Sequence, residues 1–556
     1  MLKQSLPNTF NLTPNTSRYI HFIGICGVGM GALAIMMKKK GNKVTGSDVG
    51  FYPPISTHLK EHGIEYYAGW HPERIGGGCH SRENGNPDDD NMDPRFRGDD
   101  NKKTSDNFKP DIVVVGNVAG SENPEWKFVK ENKIPFVSYP ELVARELTKK
   151  NSIVCAGTYG KTSTTALLSW ILINAGKKPA YMFGGLSQTP ELASDDLGGE
   201  WSVLEGDEYK TSRWDNSPKF SHYSPTHLLL TAVKWDHADV YPTEDSYLAA
   251  FEKLVASVPK NGVIVISEQA QSVIPVKTGI QTPGSPIKSR MTKTAQDDND
   301  TPQDDKRRFV KYGQSEDCDY QYYNIKSTEF GLNLSIKCKS KIYNLKSKII
   351  GSFQAENICG AFAMAHSIGI EPEVIIKSIA SFAGIKRRLE KRGTTITGAT
   401  VFDDIAHSPA KAKSVLETIA TIYKCHSERS EESLSVGQLD GDPSAMPQDN
   451  KIQPRLFCVF EPNSGNRKFD ALPGYDHAFD SADEVIIPRL TKLKNDSEFV
   501  SGEQLCARIA LTNANTIYIA KDDELLKYLN QKTRASDVVV FCGSHGFRGM
   551  IDEMVK

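Results

Sequence analysis

No CxxC pair and no Cys/His cluster at zinc spacing occurs among the ten cysteines of this 556-residue chain. That excludes a disulfide-stapled scaffold and a structural zinc site, and it predicts a reduced, cytoplasmic protein. An excess of charge of one sign is also missing. Lys plus Arg number 67 and Asp plus Glu 69, for a net charge of -2. No whole-chain field therefore draws DNA, RNA or an anionic membrane, although a local basic site for a phosphorylated substrate is compatible with this balance. Nor is there an unbroken apolar run of membrane length. The nearest approach, 19–37, is interrupted by Gly24, Gly27, Gly29 and Gly31. A strand, a glycine turn and a helix explain it better than an export signal or a span. Hydrophobic residues reach only 38%, which points to polar segments diluting ordinary cores.

Three such segments stand out, at about 76–107, 271–308 and 426–451, rich in Asp, Asn, Ser, Pro, Gly, Lys and Arg. They read as solvated insertions between structural units, since loop closure costs grow slowly with length. What remains alternates short β-branched runs with helical stretches. One series comprises 20–25, 43–48, 111–117 and 134–139, and a second 152–157, 201–208, 227–233 and 262–267. A third comprises 400–407, 455–462, 482–489, 516–521 and 537–543. The prediction is an α/β protein of three tandem domains, 1–148, 149–388 and 389–556. The first and third read as Rossmann-like, and the middle one as a P-loop-type ATPase.

Two glycine loops carry the first chemical signal. Gly24, Gly27, Gly29 and Gly31 follow a strand and open a helix, where backbone N–H groups can approach a pyrophosphate. Asp48 ends the next strand, where a ribose-binding carboxylate is expected. This loop fits NAD, FAD or a UDP-sugar equally. The second loop, Gly157-Thr158-Tyr159-Gly160-Lys161-Thr162-Ser163, is more specific. Its N–H groups would cradle phosphates, Lys161 would reach the β and γ oxygens, and the Thr162 hydroxyl would ligate Mg2+. Glu205, Glu208 and the pair Asp236-His237 end later strands and supply donors suited to Mg2+ beside a triphosphate. Lys386-Arg387-Arg388 offers a guanidinium for a γ-phosphate. Asp403-Asp404-Ile-Ala-His407 places a carboxylate and an imidazole at the next strand end.

In this order, these motifs resemble the Mur ligase family, whose members couple ATP hydrolysis to amide-bond formation on muramyl peptides. The resemblance covers the chain outside the three insertions. It implies that Gly24, Gly27, Gly29, Gly31 and Asp48 hold UDP-N-acetylmuramate. It further implies that Gly157, Thr158, Gly160, Lys161, Thr162, Ser163 and Asn357 bind ATP, and that Thr162, Glu205 and His237 hold Mg2+. Lys161, Arg388, Asp404 and His407 would be catalytic, and Glu461, Asn463, Ser464 and Asn466 would bind a peptide in the third domain. The segments 46–59, 207–225, 234–241, 387–393 and 461–468 look like those of members that take the murein tripeptide L-alanyl-γ-D-glutamyl-meso-diaminopimelate. A ligase adding free L-alanine, a weakened nucleotide-binding homologue and an NAD(P)-dependent oxidoreductase are the rival readings. The chain departs from the family pattern at Tyr159, Ala232, Gly360 and Ser408. It also departs at Asn463, where an amide stands for a guanidinium.

Overall fold

The computed structural model describes residues 17–51, 55–76, 109–237, 240–273, 307–423, 453–491, 498–544 and 546–555. The three polar insertions lie almost wholly outside the described residues. The flanks that are described are ordered. Glu268–Val273 forms a 3-10 turn that buries Ala270 and Val273, and Arg308 already opens a strand.

The described residues form three sheets in chain order. The first contains β1 (Tyr19–Ile23), β2 (Lys43–Asp48), β3 (Glu65–Ala68), β4 (Ile112–Val115) and β5 (Phe136–Ser138). All pairs are parallel, in the order β3-β2-β1-β4-β5. This is a doubly wound arrangement, and its strand order reverses between β1 and β4, beside the first glycine loop.

The second sheet contains β6 (Asn151–Ala156), β7 (Ala180–Met182), β8 (Ser194–Asp196), β9 (Trp201–Gly206), β10 (His227–Leu230) and β11 (Val263–Ser267). It continues with β12 (Arg308–Gly313), β13 (Tyr320–Thr328), β14 (Gly331–Cys338) and β15 (Lys341–Ser347). The order is β15-β14-β13-β12-β11-β10-β6-β9-β7-β8. Its centre is parallel, whereas β13-β14-β15 and the β7–β8 edge are antiparallel. Helices Lys161–Asn174 and Gln354–Ser367 pack against one another over this sheet through residues such as Leu168, Ile171, Ile358 and Phe362.

The third sheet contains β16 (Glu390–Thr394), β17 (Thr400–Asp404), β18 (Leu456–Glu461), β19 (Glu484–Pro488), β20 (Thr516–Ile519) and β21 (Val538–Gly543), in the order β16-β17-β21-β18-β19-β20. Only β16 runs antiparallel to its neighbour. Alternation along the strands buries both faces: Phe402, Cys458, Phe460 and Val540 on one, Val401, Phe457, Val459 and Phe541 on the other. Such burial explains why these strands read as continuous apolar runs. No helix among the described residues is long and apolar enough to cross a membrane.

Candidate active site

The second glycine loop joins β6 to helix Lys161–Asn174. Gly157 (φ 136°) and Gly160 (φ 81°) take conformations that side chains rarely adopt, and a Cβ on either would overlap Thr231 Oγ1 or Asn357 Oδ1 respectively. The loop is fastened from both sides. Thr158 N donates to Ala232 O (2.7 Å), Thr158 Oγ1 donates to Lys234 O (2.7 Å), and Thr231 Oγ1 donates to Tyr159 O (2.5 Å). Ser163 lies half-buried in the first helical turn. Lys161 Nζ reaches back to Gly157 O (2.7 Å) and pairs with Glu208 Oε2 (2.8 Å). Burial pushes the Lys161 ammonium down, but Glu208, Asp207 and Glu205 outweigh this and hold it above its ordinary value.

Around this loop the structure gathers most of the central-domain residues singled out in the sequence. Thr162 Oγ1 donates to Glu205 Oε1 (2.9 Å), and Gly184 N donates to Glu205 Oε2 (2.6 Å). Asn357, from the facing helix, accepts from Thr164 Oγ1 (3.3 Å) and donates to Gln354 Oε1 (2.8 Å). His237 faces Glu208, the partner of Lys161. Its Nε2 lies 3.5 Å from Glu208 Oε1, and that hydrogen bond raises its pKa against the effect of burial. Glu205 in turn accepts from Thr162, as above. Among the described residues no cluster of three His, Cys, Asp or Glu side chains could enclose a metal. The Thr162–Glu205 oxygen pair suits a Mg2+ that draws its other ligands from phosphate and water.

The third domain reaches this region through the turn 386–389. Lys386 N donates to Leu186 O (2.7 Å) in the central domain, and Ile405 N donates to Arg387 O (2.9 Å) in the third. Arg387 (φ 58°) and Leu389 (φ 50°) are both left-handed, and Arg387 ion-pairs with Asp403 at 3.2 Å. Asp404 spends both oxygens on this turn, accepting from Leu389 N (2.7 Å) and Ala406 N (2.7 Å). It is therefore a positioning residue that presents the exposed Arg388. His407 Nδ1 bonds to Ile405 O (2.7 Å), which makes Nδ1 the donor nitrogen of the ring. Lys411, in the first turn of helix Pro409–Tyr423, lies within electrostatic reach of Arg388, Asp236, Lys161 and Asp404. Sequence reasoning missed it, because a lysine on an amphipathic helix carries no signal of its own.

On the other side, Gly24 (φ 87°) turns the first loop. Asp48, the carboxylate expected at the ribose, accepts from Cys26 N (2.9 Å) and Val49 N (2.8 Å) and so clamps the loop. Gly31 permits helix packing, since a Cβ there would lie 2.5 Å from Ile55 Cγ2, whereas Gly27 faces open space apart from Met30. A cavity of about 240 Å³ runs from Gly27 and Gly29 past Tyr139 and Lys219 to Asp207 and Glu205. It joins the first glycine loop to the phosphate-loop carboxylates. Asp207, held below its usual range by Lys219 and Lys161 despite burial, is a further residue that sequence reasoning missed.

The four residues expected to bind a peptide lie at the end of β18 and in the turn after it. Glu461 is buried and committed: Oε1 accepts from Thr491 N (2.8 Å), and Oε2 pairs with Arg548 (3.3 Å). Asn463 caps the 3-10 turn Ser464–Arg467, its Oδ1 accepting from Asn466 N (3.1 Å) and Nδ2 (2.6 Å). Ser464, between them, is exposed. Asn463 N does donate to His407 O (3.4 Å), which places this turn against the catalytic candidate.

Comparison with known proteins agrees with this layout. The family model described as Mur ligase family, catalytic domain, matches residues 19–150, and the Mur ligase middle domain matches 155–298. A UDP-N-acetylmuramate–L-alanyl-γ-D-glutamyl-meso-2,6-diaminoheptandioate ligase of Haemophilus influenzae is 26% identical over 542 residues, covering 96% of this chain and 97% of its own. A UDP-N-acetylmuramate–L-alanine ligase of Desulfitobacterium hafniense is 26% identical over 530 residues, covering 95% and 97%. The solved UDP-N-acetylmuramate–alanine ligase of Thermotoga maritima matches with a TM-score of 0.67 at 20% identity, covering 97% and 98%. At that identity the likeness is one of fold.

Proposed function

This chain belongs to the Mur ligase family, ATP-dependent ligases that form C–N bonds, and from that membership we propose that it joins UDP-N-acetylmuramate to L-alanyl-γ-D-glutamyl-meso-diaminopimelate, the reaction of a murein peptide ligase acting in the cytoplasm in peptidoglycan recycling. The observation that carries the reading is the cavity linking the first glycine loop to Glu205 and Asp207 beside the Lys161 loop. A nucleotide-sugar carboxylate entering from the first domain would meet a triphosphate there. The length-spanning relative of Haemophilus influenzae, named for this tripeptide, favours the peptide acceptor.

A carboxylate is a poor electrophile, so the lactyl carboxylate first attacks the γ-phosphorus, giving an acyl phosphate and ADP. The L-alanyl amine then attacks the acyl carbon and phosphate leaves. Lys161 and Arg388 would stabilise the transferring phosphoryl group, whose charge spreads over its equatorial oxygens. Bound at Thr162 and Glu205, Mg2+ would neutralise phosphate charge. His407 Nε2 would take the amine proton, since the Ile405 carbonyl fixes the other nitrogen as donor. Closure of the third domain over Arg388 and His407 would keep water from the acyl phosphate.

The test is phosphate release and product mass with ATP, Mg2+ and UDP-N-acetylmuramate, comparing tripeptide with free L-alanine. A UDP-muramyl tripeptide supports the proposal. Product with L-alanine alone reassigns the chain to that rival, for which the relative of Desulfitobacterium hafniense speaks. ATP binding without turnover on either acceptor overturns the ligase reading in favour of a weakened homologue.

A further inference from the structure

Two tyrosines line the cavity between the first and central domains, one from each. Tyr139 opens helix Tyr139–Leu147 in the first domain, and Tyr223 follows the 3-10 turn Lys219–His222 in the central one. Both hydroxyl oxygens are buried and have no hydrogen-bond partner among the described residues. Tyr223 as a whole is only 3% exposed. Ser194 lies near enough to Tyr139 to offset burial in part. Its own hydroxyl is also unpartnered, so no hydrogen bond of ordinary geometry joins the two. Burial, reinforced by Glu205 and Asp207, pushes both phenols above their ordinary value, so each keeps a proton to donate. Leaving a buried hydroxyl unpaired is costly, and two at one cavity point to acceptors that a ligand brings.

We propose that Tyr139 and Tyr223 are sugar-recognition residues, donating to oxygens of the N-acetylmuramyl ring of the nucleotide sugar. The inference deepens the ligase reading and rests on it. Connectivity puts the ring there. Tyr139 Oη sits against the first glycine loop, where a Cβ on Gly29 would lie 2.6 Å from it. Helix Val28–Lys39 opens beside it without a side-chain cap, so its first N–H groups suit the diphosphate. The reacting carboxylate belongs at the far end, by Glu205 and the Lys161 loop. The pyranose lies between the two, along the cavity of about 240 Å³ that both tyrosines line. A phenol that donates and accepts matches sugar hydroxyl and amide oxygens, which carry no charge to clash with Glu205 and Asp207. Both hydroxyls lie just under the cavity wall, and the entering ring displaces the wall to reach them.

The test uses the full chain carrying Tyr139→Phe, Tyr223→Phe or no substitution. Binding of UDP-N-acetylmuramate and of UDP is measured by titration calorimetry, the melting point without ligand by calorimetry, and turnover separately. Each variant should bind UDP-N-acetylmuramate about threefold to tenfold more weakly, as for loss of one neutral hydrogen bond, while UDP binding stays within about twofold. The melting point should not fall, because a hydroxyl without a partner stabilises nothing. Nucleotide-sugar affinity unchanged in either variant overturns the inference. So does an equal loss of UDP and nucleotide-sugar affinity with a lowered melting point, which marks a structural role. An unsubstituted chain that binds UDP-N-acetylmuramate no more tightly than UDP overturns it as well. If neither acceptor is turned over, the ligase reading fails, while the comparison of the two ligands still decides the role of the tyrosines.

Discussion

At the residue scale, the phosphate loop depends on backbone geometry as much as on its lysine. Gly160 holds φ at 81°, and a Cβ there would lie 2.2 Å from Asn357 Oδ1. Gly160→Ala should therefore cost about 1–2 kcal/mol for the left-handed conformation alone, with further loss from displacing Asn357. Thermal unfolding and the KM for ATP would both register it, and an unchanged KM would detach Asn357 from nucleotide binding. Lys161→Ala acts differently. It removes the proposed phosphate ligand and leaves the buried Glu208 carboxylate without its 2.8 Å partner. Turnover should fall by at least about a hundredfold, as for loss of a donor aimed at developing charge. The melting point should also drop, because a buried acceptor left unpaired costs about 1–3 kcal/mol. Gly360 shows how a departure from the family pattern can be structural. A Cβ there would lie 2.8 Å from Tyr312 Cζ, so this chain fills with a tyrosine the space a longer side chain would need.

At the scale of elements, the turn 386–389 is held by carboxylates rather than by its own sequence. Asp404→Asn keeps one acceptor oxygen and turns the other into an N–H donor against Leu389 N or Ala406 N. It should lower kcat through misplacement of Arg388 while the KM for UDP-N-acetylmuramate is conserved, a split that steady-state kinetics reads directly. A second carboxylate organises the far end of the third sheet. Asp522 holds Arg548 (Nε to Oδ2, 2.8 Å) and Arg489 (3.2 Å), and the Arg548 hydrogen bond keeps its carboxyl below the ordinary range. A depressed folded-state pKa means that its stabilisation is present above the unfolded value of about 3.9. It is lost only as pH falls through the lower folded value. The difference in melting point between the unsubstituted chain and Asp522→Asn should hold from pH 8 to 5 and shrink below about pH 4. These elements also show what the sequence made legible. Runs such as IVVV in β4 and VVVFCG in β21 announce buried parallel strands, and the two glycine loops mark their own strand-to-helix junctions. In β13, YQYYNIKST carries polar residues through an antiparallel ribbon, and in β16, EKRGT is an edge strand with two basic residues. Both strands owe their conformation to neighbours rather than to pattern. Asp207 was invisible for the same reason, since its partners Lys219 and Lys161 come from tertiary structure alone.

At the scale of the molecule, the contacts between domains are of two kinds, and the difference bears on how the site works. The first domain is fastened to the central one by Lys39–Asp195 (2.9 Å), Lys40–Asp196 (3.0 Å) and Trp214 stacked on Trp126 (4.8 Å), at the cavity rim and away from it. The third domain meets the central one at the 386–389 turn, where Lys386 N donates to Leu186 O, and through helix Pro409–Tyr423 against β13, with Ile350 packed on the third-domain core. Arg388 stands exposed at that turn, and a cation there favours approach of the two domains once an anion lies between them. Motion should therefore be concentrated at the third domain, with the first staying docked. Small-angle scattering should show the radius of gyration falling when a non-hydrolysable ATP analogue and UDP-N-acetylmuramate are added together, and falling little with UDP-N-acetylmuramate alone. The nucleotide-driven part should weaken in Arg388→Ala. Raising the salt concentration should open the ligand-free protein no further, since like charges at the junction are screened by salt. A radius that responds to the nucleotide sugar alone would place the hinge at the first domain, and would leave the cations at the 386–389 turn without a part in closure.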